Sequence, residues 1–165
     1  MTLESLNDLS FEAAYLEFQK CCGARNWVRQ IVDRRPFASL QEFFEAAGTI
    51  WNTLSPSDWK EAFEHHPRIG DREALREKFS TTAAEAEQAG ILTTTEEVLQ
   101  RLAERNREYE EKFGYIFIVC ATGKSAEEML KTIEERLHNE PEPELIIAAE
   151  EQRKITRIRL EKLVV

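Results

Sequence analysis

The sequence predicts an all-α fold, a single-domain bundle of about eight helices over residues 1–165, with one short extended segment near residues 115–121. Three observations predict it. Capping residues stand ahead of long apolar-periodic stretches, and those stretches repeat at steps of three and four. Only one stretch has strand composition, and it has no second strand to pair with.

In chain order, Ser39 followed by Glu42 is a capping-box pattern ahead of "LQEFFEAAGTIWNTL": the serine hydroxyl accepts from the backbone three residues on while the glutamate reaches back. Pro56 suits a first helical position, where its missing N–H would be unpaired anyway, and opens "PSDWKEAFEHH". Pro67 disfavours helical geometry at the residue before it, so His65 and His66 close that helix. A short helix in "TTAAEAEQAGI" is stopped by Gly90. The stretch "TEEVLQRLAERNREYEEKF" reads as a long amphipathic helix ended by Gly114. After it, "YIFIVCATG" has the aromatic and β-branched content of extended chain. Ser125 with Glu128 opens "AEEMLKTIEERL", and "ELIIAAEEQRKITRIRLEKL" forms the last helix. The connections are short, with no internal repeat, low-complexity tract or linker.

Net charge is -9 and the pI about 5.0, with basic residues interleaved among acids, which argues against a nucleic-acid or anionic-membrane partner. No apolar stretch is long enough to span a bilayer, and "MTLESLNDLS" lacks the basic and apolar regions of a signal peptide, so a cytoplasmic location is expected. The three cysteines, two of them adjacent at Cys21 and Cys22, form neither a disulfide framework nor a spaced ligand set. Small buried thiols are the expectation.

The stretch "EHHPRIGD", Glu64 to Asp71, holds two of the three histidines. His66 continues the apolar stripe of Trp59, Ala62 and Phe63, whereas His65 lines up with Asp58 and Glu61 on the polar face. Adjacent helical side chains diverge by about 100°, and no HExxH or other ligand set lies nearby, so no metal is expected. His66 therefore reads either as a hydrogen-bonded helix end or as a pocket group that exchanges protons. In the last helix, Leu145, Ala148, Gln152, Ile155, Arg159 and Leu163 follow one stripe, with Arg153 and Arg157 on the acid-rich side beside Glu150 and Glu161. A guanidinium in an apolar stripe needs an anionic substrate, a core carboxylate, or an exit to water. Glu87 shares the Ala83 and Ala84 side of its short helix, while Glu85 and Gln88 lie more toward solvent.

Taken together and in this order, "HPRIGD" (66–71), "EQAG" (87–90), "NREYEEKFGYIFIVCATGKS" (106–125) and "RLHNEPEPELIIAAEEQRKITRIRL" (136–160) resemble the 2-oxo-4-hydroxy-4-carboxy-5-ureidoimidazoline (OHCU) decarboxylases of urate breakdown. The resemblance runs through most of the chain, and "HPRIGD" is its most specific piece. It implies an all-helical, cofactor-free, typically homodimeric enzyme that converts OHCU to (S)-allantoin with loss of carbon dioxide. By the same resemblance the catalytic residues fall on His66, Glu87 and Arg159, and the substrate contacts on Pro67, Gln88 and the segment carrying Phe117, Ile118, Val119 and Ala121. One departure stands out: family members often carry a serine just before the Glu-Gln pair, and this chain has "AAEA", so Ala84 offers no hydroxyl.

The residue types suit that chemistry. Loss of carbon dioxide leaves an electron pair on a ring carbon, and the adjacent carbon–nitrogen double bond of OHCU accepts it, so no pyridoxal, thiamine or metal sink is required. The protein has to supply orientation, a dry pocket and a proton on one face. A histidine, with an ordinary pKa of about 6.5, suits the proton transfer. Ile147 and Ile158, eleven positions apart on the charged side of the last helix, fall on nearly one line and are candidates for a subunit contact. Two other readings stand beside the decarboxylase: an acidic helical module that binds another protein, and a relative that acts on a different ureido compound.

Overall fold

The computed structural model describes residues 1–66 and 92–165. Among the described residues there are eight helices and no strand. They are α1 Leu3–Asn7, α2 Phe11–Cys21, α3 Arg25–Asp33, α4 Leu40–Thr53, α5 Pro56–Glu64, α6 Leu92–Phe113, α7 Ala126–Arg136 and α8 Pro141–Leu163. The all-helical expectation holds, and residues 116–121 are neither helix nor strand. No helix among the described residues is long and apolar enough to cross a membrane.

Local chemistry starts and stops these helices. Ser125 and Glu128 form the complete reciprocal capping box of α7. At α4, Ser39 accepts from the Glu42 N–H, but the Glu42 carboxylate accepts from the Ala38 N–H, one residue further back than the box requires. A second complete box, Ser55 with Asp58, opens α5 around Pro56. Gly114 ends α6 in the left-handed region, φ 81°, which a side chain would resist, and its N–H donates to the Glu110 carbonyl at 2.9 Å.

The chain divides into two compact units. The first comprises Met1–His66, Ile118–Cys120 and Ile147–Val165. Its core holds Leu6, Phe18, Trp27, Ile31, Phe43 and Phe63, all fully buried, with Phe18 edge-on to Trp27 at 6.2 Å between centroids. Two indoles lock its helices together. Trp59 Nε1–H donates to the Trp51 carbonyl at 3.1 Å, and Trp51 Nε1–H donates to the Ala149 carbonyl at 3.0 Å. These bonds tie α5 to α4 and α4 to α8.

The second unit comprises, among the described residues, 92–117 and 121–146. Leu99, Leu102 and Tyr109 of α6 are buried, as are Met129, Leu130 and Ile133 of α7. A charge is buried here too. Arg136 and Glu144 pair at 2.6 Å with almost no exposure, and Glu144 also accepts from Tyr109 Oη at 2.5 Å and Asn139 Nδ2 at 3.0 Å. The carboxylate is thus surrounded by donors, the condition under which a buried ion pair is tolerated. Burial pushes the Tyr109 hydroxyl far above its ordinary range, so it stays protonated and acts as a donor.

Along α8 the buried line differs from the expected stripe. Ala148 and Gln152 are buried as expected, but the line continues through Thr156, Leu160 and Val164, while Ile155, Arg159 and Leu163 are half-buried at its edge. An i, i+4 row is inclined to the helix axis, so over 23 residues the packed face winds round, whereas a single averaged stripe assumes that it runs straight.

Candidate active site

His66 is placed by the way α5 ends. His65 N–H donates to the Ala62 carbonyl at 3.3 Å and His66 N–H to the Phe63 carbonyl at 3.2 Å, a tightened last turn consistent with the proline that follows in the sequence. The polar face of α5 is held to the start of α3: Glu61 accepts from the Arg25 backbone and guanidinium, both at 2.9 Å, and Asp58 accepts from Asn26 Nδ2 at 2.9 Å. The Arg25 bonds hold the Glu61 carboxyl below its ordinary pKa.

The two histidines diverge. His65 is exposed and lies against Gly23, where a Cβ would come within 2.1 Å of the His65 Cγ. His66 is half-buried, and its Nε2 lies 2.5 Å from Gln152 Oε1 of α8. Of the two earlier readings of His66, the hydrogen-bonded side chain is present, and its partner is itself a buried polar group.

Gln152 is fully buried, and its Nε2 donates to Thr156 Oγ1 at 3.1 Å. Arg159 follows on the same edge of α8, half-buried, and its guanidinium donates to the Cys21 carbonyl at 3.3 Å. Gln152 and Arg159 are seven residues apart, about 10 Å along the axis. His66 is therefore tied to α8 through Gln152, two turns before Arg159, whose guanidinium reaches the end of α2.

The surroundings of Arg159 bear on its earlier alternatives. Among the described residues no carboxylate pairs with it, whereas Arg153 pairs with Glu150 at 2.6 Å and Arg157 with Glu161 at 2.6 Å. Arg157 also lies over the Phe44 ring, 3.7 Å from its centroid. A half-buried cation whose hydrogen bond among the described residues goes to a carbonyl oxygen has donors to spare. Its charge also acts on the two thiols. Burial outweighs that effect, pushing Cys21 up to about 11 and Cys22 up to about 12, so both are thiols at neutral pH.

The remaining sequence candidates divide in two. Pro67, Glu87 and Gln88, with Ala84, lie outside the described residues. Phe117 is half-buried with the Arg136 guanidinium 4.6 Å from its ring centroid, Ile118 is buried, and Val119 and Ala121 are half-buried. Two residues had not been singled out as site residues. Gln152 had a signal, an amide on the apolar stripe two turns from Arg159, which needs a partner once buried. Thr156 had none, because it falls off the averaged stripe.

The profile of the OHCU decarboxylases matches residues 7–161. A uric acid degradation bifunctional protein of Arabidopsis thaliana is 37% identical over 157 residues, covering 94% of this chain and 48% of that protein, so the chain spans about half of its length. The 2-oxo-4-hydroxy-4-carboxy-5-ureidoimidazoline decarboxylase of Amia calva is 29% identical over 171 residues, covering 99% of this chain and 95% of that one. Among solved structures, an OHCU decarboxylase crystallised in the presence of (S)-allantoin is 40% identical with a TM-score of 0.71, covering 89% of this chain and 96% of its own.

Proposed function

Since the chain belongs to the OHCU decarboxylase family, we propose that it converts OHCU to (S)-allantoin and carbon dioxide in urate breakdown, with His66 as general acid and base. The observation that carries the site reading is Arg159: a half-buried guanidinium without a carboxylate partner among the described residues, on the helix edge that also holds the partner of His66.

In the proposed reaction the bond between the ring carbon and its carboxylate breaks, and the electron pair moves into the adjacent carbon–nitrogen double bond. The ring nitrogen takes up a proton, the hydroxyl on the carbon that lost carbon dioxide gives one up as that carbon becomes the carbonyl, and the neighbouring ureido-bearing carbon takes a proton from His66 on one face, which sets the (S) centre. Glu87 accepts hydrogen bonds from the ureido or ring N–H groups, Arg159 holds substrate oxygens, and Pro67, Gln88 and the segment of Phe117, Ile118, Val119 and Ala121 complete the contacts. Arg159 contributes to rate only insofar as it holds the transition state more tightly than the ground state. No cofactor enters this scheme, because the substrate carries its own electron sink. The proposal takes residues 1–165 as one catalytic domain, working as a homodimer in the cytoplasm.

The test is to generate OHCU from urate with the two preceding enzyme activities and follow its ultraviolet and circular dichroism signals with and without the protein. Rapid formation of (S)-allantoin alone is the expected outcome; an unchanged racemic decay would remove the proposal. His66→Asn keeps a polar side chain that does not exchange protons near neutrality, and is expected to lose about a hundredfold or more in rate with the fold intact.

A further inference from the structure

A histidine that exchanges protons has two nitrogens to do it with, and in this protein the choice between them lies outside the ring. His66 Nε2 faces Gln152 Oε1 at 2.5 Å, and an amide oxygen accepts but never donates. With the amide in that orientation, Nε2 must carry the hydrogen.

The orientation of the amide has its own cause. Gln152 Nε2 points at Thr156 Oγ1, 3.1 Å away. Both side chains are buried, Gln152 fully enclosed and Thr156 nearly so. Water is therefore a poor substitute for any of these partners. The reversed arrangement would need the hydroxyl to donate to the amide oxygen and the amide N–H to donate to the ring. It fails once the ring is protonated, because an imidazolium donates from both nitrogens. The observed arrangement serves the ring in both of its protonation states without any rotation of the amide.

We propose that Gln152, held by Thr156, is a positioning residue that keeps the neutral His66 ring in its Nε2–H form, so that the proton used in the reaction is taken up and released at Nδ1. The proposal rests on the general acid/base reading of His66. It deepens that reading by naming the atom and by adding two residues to the machinery. A neutral amide suits the role better than a carboxylate, which would hold a proton on the ring.

The experiment is nitrogen-15 NMR of the imidazoles in the full chain, with His65→Asn and His138→Asn introduced so that only His66 reports. At a pH where the ring is neutral, the expected spectrum has Nε2 protonated and Nδ1 bearing the lone pair. A predominant Nδ1–H form in the otherwise unaltered protein would overturn the proposal, and this result does not depend on any site variant folding. Gln152→Met preserves bulk and removes both hydrogen bonds. It is expected to mix the two tautomers and to lower kcat by roughly tenfold with KM little changed, since the interaction acts on chemistry and not on binding. Thr156→Val is expected to give a smaller loss, and Thr156→Ser, which restores the hydroxyl, to return both the spectrum and the rate. A pure Nε2–H spectrum in Gln152→Met would show that the amide does not hold the ring. Turnover that survives His66→Asn would remove the catalytic reading and leave the tautomer assignment to be judged by the spectra alone.

Discussion

Arg157 and Arg159 sit two residues apart on α8 and meet different surroundings. Arg157 is exposed, paired with Glu161 and laid over Phe44, so its removal costs surface interactions that are individually small. Arg159 is half-buried and bonded to the Cys21 carbonyl. Arg157→Ala is expected to leave turnover of OHCU within a few-fold of the parent protein. Arg159→Ala is expected to lose about a hundredfold or more, the loss of a charge-assisted contact of roughly 3 kcal/mol in the transition state. Arg159→Lys should also be poor, since an ammonium does not reproduce the planar fork. Equal losses for the two alanine variants, read as kcat/KM, would mean that the site lies elsewhere on the helix. The histidines contrast in the same way: His65→Asn is expected to stay near the parent rate, because His65 is exposed beside Gly23 while His66 faces Gln152.

At the scale of the helix, two glycines test how α5 is seated. A Cβ on Gly23 would meet not only the His65 ring but also its Cβ, at 2.5 Å, so a ring rotation would not relieve the clash and the end of α5 would have to move. Gly23→Ala is expected to cost about 1–3 kcal/mol and to lower turnover as well, because the displaced turn carries His66. Gly48 lies inside α4 with nothing within 4 Å of an added Cβ. Gly48→Ala is expected to stabilise by about 0.5–1 kcal/mol through helix propensity, with unchanged turnover. Scanning calorimetry on the pair decides the matter, and a Gly23→Ala protein as stable as its parent would refute the close seating of His65. In the second unit, Glu144→Ala would strand the buried Arg136 charge and remove the acceptor of Tyr109 and Asn139. The expected loss is about 3–5 kcal/mol, or roughly 10 °C in melting temperature.

For the whole molecule, the homodimer is the part of the proposal most directly open to test. Ile147 is 37% exposed and Ile158 half-buried on the α8 face expected to contact a second copy. Sedimentation at micromolar concentration is expected to show a dimer, and Ile147→Glu with Ile158→Glu a monomer; a dimer that survives both changes would place the contact on another surface. The all-helical class, most helix ends and the separate directions of His65 and His66 were readable from the chain alone. Capping boxes, glycine stops and the residue before a proline act within a few positions, and helical phase separates neighbours by about 100° wherever the helix sits. The same local rule misjudged α8. Its packed face winds as it passes successive neighbours, so Thr156 became buried and Arg159 moved to the edge, and no count along one helix contains that information. Nor could the chain alone say which residue would meet His66, because Gln152 is 86 positions away and is brought there by the Trp59–Trp51–Ala149 bonds between helices. Sequence by itself determined which elements form and which side chains each one offers, since those choices are made by neighbours in the chain. Tertiary packing decided which offers are taken up, because a hydrogen bond between α5 and α8 depends on where two helices are held, and many distant contacts set that together.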